Sequence, residues 1–151
     1  MAVYRIRIAK KQAPLVKALT IGQESKGTFA TYADVVIFAA AYGGKHEHYV
    51  PITTGVSQDP APISLEIFLS RGYDWAMKLI AIAHRQDQTV ISPYDSQRLL
   101  LIEGLANGGL ELLQEKLRGA VDYSDRLLLI LSQERFPSSQ PPPNFDLTRF
   151  L

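Results

Sequence analysis

The stretch TYADVVIFAAAYGG, residues 31–44, decides the fold of this chain. Thr31 is a favoured helix N-cap, and Asp34 follows three residues later. Residues 35–42 are then apolar on every face, and Gly43-Gly44 supplies a stop signal. A helix that is apolar all round lies inside a core or at a subunit interface, because none of its faces favours water. We therefore predict a central helix that Gly43-Gly44 ends.

The segments around this helix are predicted to be mostly helical. Residues 3–8 alternate between inward and outward side chains and predict a short strand, with Arg5 and Arg7 on its outer face. Residues 63–70 fit either a strand or the start of a helix capped by Ser64. Other helices are expected at four places: from near Gln12 to Thr20, over 73–84, from residue 95 or 96 to 117, and from a Ser124 cap to about 135. Gly104 and Gly108 predict either close backbone approach by a neighbour or a break at 107–109.

Composition limits the class of protein. The chain has 151 residues, of which 46% are hydrophobic and 21% are charged, as in an ordinary globular domain. It contains no cysteine, which excludes disulfides, thiol nucleophiles and cysteine-based metal sites. Its longest apolar run has eight residues, 35–42, against the roughly 20 that a membrane span needs. Charges near the start leave no room for a secretory signal, so we expect a cytoplasmic protein.

These patterns predict a mainly α fold. We expect a compact single-domain bundle of about five helices with a short N-terminal strand, residues 1–136. An extended Pro-rich strap, residues 137–151, should follow, because Pro137 and the prolines at 141–143 exclude helix. The strap carries apolar side chains that either fold back on the domain or dock on another chain. The partner-binding candidates are Phe145, Leu147 and Phe150.

The net charge of +1 conceals an uneven distribution. Residues 1–26 hold six basic side chains and one acid, which gives +5, and the other 125 residues hold 10 basic and 14 acidic ones, which gives −4. A local basic surface attracts DNA even when the total is near zero. The alternative is the solvent face of an edge strand, where Arg and Lys discourage aggregation. The nucleic-acid-binding candidates are Arg5, Arg7, Lys10, Lys11, Lys17 and Lys26.

Signals for catalysis are weak. His46 and His48 stand at i, i+2 beside Glu47, a spacing that would suit a divalent metal in extended backbone, but only His84 or distant acids remain as a third ligand. A solvated polar loop is the favoured interpretation. The glycine pairs fit neither the Walker nor the dinucleotide spacing. Tyr73, Trp75 and Phe68 are predicted to lie in the core. We expect no cofactor, no metal and no catalytic residue, and we favour a non-enzymatic role.

Three blocks of the sequence resemble a known family. Residues 29–43 are similar to the F-x-T-x-A-D-V-hydrophobic-x-F-A-A-A-x-G block of the DNA phosphorothioation-associated protein 4 family. Residues 62–68 resemble its P-I-x-x-x-x-F segment. Residues 103–110 resemble its E-x-Y-A-N-G-G-L block, with Leu105 in place of the tyrosine. The resemblance spans roughly residues 4–131, without the strap.

This resemblance implies an accessory protein of the bacterial system that replaces a non-bridging phosphate oxygen of DNA with sulfur and restricts unmodified DNA. The leading hypothesis is a factor that binds DNA or a DNA-handling complex through the basic N-terminal arm. The alternative is an oligomeric adaptor that associates through its central helix and engages a partner through the strap. A metal-dependent hydrolase using His46 and His48 is a third possibility. The partners expected are DNA, other proteins of the system and further copies of the chain, with no membrane.

Overall fold

A computed structural model describes residues 4–22, 27–85 and 94–136. Six α-helices, one 3-10 helix and a two-stranded sheet occur in these ranges, which confirms the mainly α fold. The strands are β1, Arg5–Ile6, and β2, Ile63–Ser64, with the 3-10 helix at Lys10–Gln12. The α-helices are α1, Ala13–Leu19; α2, Tyr32–Lys45; α3, Leu65–Ser70; α4, Asp74–Arg85; α5, Ser96–Leu117; and α6, Tyr123–Arg135. The predicted strap, residues 137–151, lies outside the described residues.

The core is built on the packing of α2 against α5. Both helices are largely buried, and Val35, Ala39, Ile102, Leu105 and Leu113 are among the side chains that contribute to one apolar cluster. Nine of the fourteen residues of α2 are buried by the protein's own chain. Of the two locations left open for this helix, the core is therefore confirmed, because most of its apolar surface is covered within one molecule.

Glycines let the two helices approach closely. A Cβ on Gly43 would collide with the backbone carbonyl of Leu105, and one on Gly109 would collide with the carbonyl of Ala39. The prediction that Gly43-Gly44 ends α2 is wrong, since the helix continues to Lys45 and uses Gly43 as a contact point. The prediction of close backbone approach on α5 is confirmed, and no break occurs at 107–109.

Asp34 ties the start of α2 to the corner between α3 and α4. Its carboxylate accepts the backbone N–H of Thr31 at 3.1 Å, completing a capping box. It also accepts two hydrogen bonds from Arg71, both 2.8 Å long, and one from the hydroxyl of Tyr73. Burial works against ionisation, but the hydrogen bonds from Tyr73, Arg71 and Thr31 hold the pKa of Asp34 below its ordinary value.

The structure also tests the predictions for residues 63–70, for the cap of the last helix and for the burial of two aromatic side chains. Residues 63–70 combine both alternatives, because β2 pairs antiparallel with β1 and Ser64 then caps α3. The last helix is capped by Asp122, which accepts from the backbone N–H of Ser124 and Asp125. Phe68 is fully buried as predicted, whereas Trp75 is 69% exposed, so its assignment to the core is wrong.

No helix among the described residues has the length and apolarity that crossing a membrane requires.

Candidate functional site

Residues 4–10 of the predicted basic arm are hydrogen-bonded along residues 55–65, while Lys10 and Lys11 begin the 3-10 helix and Lys17 lies in α1. Arg5 lies opposite Ser64 in the sheet, and the backbone N–H of Ser57 donates to the carbonyl of Ile8 at 2.7 Å. The N–H of Lys10 donates to the carbonyl of Gly55 at 2.9 Å. Ile6 and Ile8 are buried, which confirms the inward face of the alternation. The basic side chains of the arm consequently project from a backbone that is fixed to the domain.

Arg7 forms an intramolecular ion pair with Glu103. Its Nη2 lies 2.7 Å from Oε1 of Glu103, and its Nε and backbone N–H donate to Oε2 of the same side chain at 3.0 and 2.8 Å. The side chain of Glu103 is only 5% exposed, while that of Arg7 is 42% exposed. The hydrogen bond to Glu103 raises the pKa of Arg7, although desolvation opposes it. Arg7 therefore neutralises a buried carboxylate.

Lys17 is paired as well, but at the surface. Its Nζ lies 2.8 Å from Asp59, and both side chains are well exposed. The hydrogen bond to Asp59 raises the pKa of Lys17. An exposed pair of this kind is weak and exchanges readily with solvent ions. Lys26, the last of the six predicted residues, lies outside the described residues.

Three cations of the arm keep their charge uncompensated. Arg5, Lys10 and Lys11 are exposed, and none of them forms an ion pair with an acid in the described ranges. Of the five described basic residues of the arm, two are paired, which leaves three. We call Arg5, Lys10 and Lys11 the basic surface. It occupies seven consecutive residues, 5–11.

Residues 103–110, in the middle of α5, contact both the arm and the loop that follows α2. Glu103 binds Arg7, and the side-chain amide of Asn107 donates to the carbonyl of Val50 at 2.9 Å. A Cβ on Gly104 would strike the ring of Tyr49, and one on Gly108 would strike the carbonyl of His48. Packing and hydrogen bonding therefore account for each of these four residue types.

The two histidines of the loop point to different acids. His46 Nε2 lies 2.5 Å from Glu134, which also pairs with Lys45 at 2.6 Å, and His48 Nε2 is 4.0 Å from Glu111. The hydrogen bond from Lys45 lowers the pKa of Glu134, and burial only partly offsets it. Within the described part of the chain, no group of three or more His, Asp and Glu side chains is placed to hold a metal ion.

The outer face of α4 carries an exposed apolar stripe that the sequence pattern does not predict. Trp75, Leu79 and Ala83 follow at i, i+4 and i+8 and are exposed, while Met77 and Ala81 are fully buried on the opposite face. A helix with two apolar faces is the signal that could have revealed it. The predicted partner-binding residues Phe145, Leu147 and Phe150 lie outside the described residues.

Fold and site together define a small helical protein with a fixed basic surface and an exposed apolar stripe. The model of one family, DNA sulphur modification system-associated protein 4, matches residues 5–150, and the chain belongs to this family. It is therefore an accessory protein of a DNA sulphur modification system. No curated protein and no solved structure matches the chain significantly.

The extent of the match corrects one expectation. The resemblance carried by the three sequence blocks ends near residue 131 and leaves the strap outside. The family model continues to residue 150 and so includes Phe145, Leu147 and Phe150. The family match therefore extends over the strap.

Proposed function

We propose that this accessory protein binds DNA through the basic surface formed by Arg5, Lys10 and Lys11. The observation that supports the proposal is the presence of three exposed cations, without an acidic partner among the described residues, on seven residues of fixed backbone. Lys and Arg side chains on such a surface bind phosphates and release the condensed counterions of DNA. The protein contributes no catalytic step in this account.

The role of each arm residue differs. Arg5, Lys10 and Lys11 are free to contact phosphates, whereas the guanidinium of Arg7 is occupied by Glu103. Lys17 can exchange Asp59 for a phosphate, because an exposed pair contributes little. Lys26 remains a predicted contributor.

Contacts of this kind fix position on DNA and do not read sequence. A non-bridging sulfur leaves the phosphate with one negative charge. We therefore expect similar affinity for modified and unmodified duplexes of the same sequence. Discrimination between them would belong to another protein of the system.

Fluorescence anisotropy with a labelled duplex at low salt tests the proposal. The variant Arg5→Ser, Lys10→Ser, Lys11→Ser should lose at least about tenfold in affinity, since each phosphate contact adds to the counterion release. A matched control is Arg118→Ser, Arg126→Ser, Arg135→Ser, which removes the same charge from exposed sites outside the arm. Equal losses in the two variants would reject the basic surface as the binding site.

A second candidate function, a protein adaptor, is favoured by the outer side of α6. Leu128 and Leu131 are neighbours at i, i+3 and are 64% and 46% exposed. Exposed apolar patches of this type mark protein interaction sites. The partner proposed is another protein of the sulphur modification system, and Leu128→Asp with Leu131→Asp should abolish its co-purification. Retained co-purification would reject this surface.

Association of further copies of the chain stays a prediction, now without the central helix as its interface.

A further inference from the structure

A groove lies between the end of α2 and the second half of α4. It encloses about 480 Å³, which is within the range of pockets that hold small ligands. Ala41, Leu79, Ile80 and Ala83 form its apolar walls, and Glu47 also lines it. The groove is therefore an apolar site with a carboxylate beside it.

The first half of α4 carries a projecting indole. Trp75 is 69% exposed and is not one of the residues that line the groove. Leu79, one turn further along, is 63% exposed and belongs both to the stripe and to the groove wall. Trp75 and Ala83 each lie about 6 Å from Leu79 along the helix axis. A projecting side chain and a groove that can receive one therefore lie on either side of Leu79.

The charges beside these two features are opposite in sign. The Nζ of Lys78 lies 4.6 Å from the centre of the Trp75 ring, so a cation accompanies the indole. Glu47 is exposed and forms no ion pair with a base in the ranges that the structure describes. Lys45, which also lines the groove, is already paired with Glu134 at 2.6 Å. The carboxylate of Glu47 is therefore available to a cation that arrives with an apolar group.

A surface that holds both a projecting group and a groove complementary to it can bind a second copy of itself. Under two-fold symmetry, residue i of one copy contacts residue j of the other, and j contacts i. An axis near Leu79 exchanges the two halves of the stripe, so that Trp75 of each copy meets the groove of the other. The same operation brings Lys78 to Glu47 twice. A second copy therefore supplies every complementary group at once.

We infer that two copies of the chain associate through α4 about a two-fold axis near Leu79. Trp75 of each copy occupies the α2–α4 groove of the other, and Lys78 of each copy lies beside Glu47 of the other. Burial of the indoles and leucines supplies the free energy of association, and the charge pairs fix the orientation. The inference does not rest on DNA binding, because this interface uses no residue of the basic surface.

Charge reversal on either side of the contact tests the inference. Lys78→Glu places two acids together at both symmetric contacts, and Glu47→Lys places two bases together. Each variant should lose at least about tenfold in dimer affinity, because like charges that face each other across an interface are unfavourable. Sedimentation velocity over a concentration series measures the affinity. Wild-type affinity in both variants would overturn the inference.

Mixing the two variants in equal amounts distinguishes contact between copies from contact within one chain. In the mixed dimer both contacts again join opposite charges, so the wild-type affinity should return. Each chain in the mixture still carries like charges at its own two positions, so a contact within one chain gives no such recovery. A mixture that dissociates as readily as the separate variants would overturn the inference.

Leu79→Asp tests the apolar centre of the interface. This variant should be monomeric at concentrations at which the wild type is a dimer, because two carboxylates would meet near the axis. The matched control is Leu129→Asp, at a leucine of α6 that is 51% exposed, and it should dimerise like the wild type. Equal behaviour of the two variants would overturn the inference. So would a wild type that is monomeric at about 100 μM, well above the micromolar range of specific interfaces, which would assign the groove to another occupant.

Emission from Trp75, the single tryptophan, gives an independent measurement. Dilution of the wild type through the dissociation range should shift the emission to longer wavelength, because the indole leaves an apolar groove for water. Leu129→Asp should show the same shift over the same concentrations. An emission maximum that is equal in dimer and monomer would contradict the burial of Trp75 in the groove of a second copy.

Discussion

Arg7 and Glu103 are 96 positions apart in the sequence and are joined by both backbone and side-chain hydrogen bonds, the shortest of them 2.7 Å long. This pair fixes the arm at residue 7 to the middle of α5. It also removes Arg7 from the set of residues available to a phosphate. Arg7 therefore stabilises the fold, while the neighbouring side chains of the basic surface stay exposed to solvent.

Arg7→Ala should destabilise the protein more than Glu103→Gln does. The first change leaves a buried carboxylate without its counter-ion and should cost about 2–3 kcal/mol of unfolding free energy, less than for a fully buried pair because the Arg7 side chain is 42% exposed. The second keeps an oxygen that accepts the backbone N–H of Arg7, while the half-exposed guanidinium turns to water, and should cost about 1 kcal/mol. Urea unfolding of both variants checks the order. A larger loss for Glu103→Gln would contradict the assignment of the main cost to an unpaired buried carboxylate.

Gly43 and Gly44 should respond in opposite ways to alanine. A methyl group on Gly43 meets the backbone of α5, so Gly43→Ala should destabilise the fold by roughly 1–3 kcal/mol. The nearest atom to a methyl on Gly44 is in the Ile80 side chain at 3.6 Å, which is ordinary contact. Gly44→Ala should therefore be neutral or stabilising by up to about 1 kcal/mol, from helix propensity. Thermal unfolding of the two variants measures this, and similar effects at both sites would contradict the close approach of α2 and α5.

Asp34→Asn should destabilise the protein in a pH-dependent way. The folded pKa of Asp34 is lowered, so its charged form stabilises the fold above the ordinary value of 3.8, and this contribution disappears as the pH falls through the lower folded pKa. At neutral pH the loss should be about 1–3 kcal/mol, because hydrogen bonds to a charged group are broken. Chemical unfolding at neutral pH and at a pH well below 3.8 provides the comparison. A difference between wild type and variant that stays constant with pH would contradict the role of the charge.

Much of the fold follows from local patterns in the sequence. The position of α2, the inward face of β1 and the run of α5 depend on side-chain periodicity and capping, which act over a few residues. The end of α2 was mispredicted because a glycine pair signals a stop locally, whereas Gly43 serves contact with a helix some 60 positions away in sequence. The sequence predicts Trp75 in the core because apolar periodicity does not show which of the two apolar faces of α4 is buried.

The candidate site was only partly predictable. The alternation of Arg5 and Arg7 places both on the outer face of the arm, and the structure keeps both exposed. Whether each charge is compensated depends on Glu103 and Asp59, which are distant in sequence and carry no local signal. Among the described residues of the predicted set, pairing across the fold therefore leaves only Arg5, Lys10 and Lys11 without an acidic partner, and Lys26 stays a prediction.

The salt dependence of DNA binding tests the central claim most directly. For the wild type, the logarithm of the association constant should fall linearly with the logarithm of salt concentration, with about 0.9 of slope for each phosphate contacted. Arg5→Ser, Lys10→Ser, Lys11→Ser should reduce the slope by about 2.7, while Arg118→Ser, Arg126→Ser, Arg135→Ser should leave it nearly unchanged. The claim would be contradicted by a wild type that does not bind duplex DNA at low salt, or by the same slope in all three proteins.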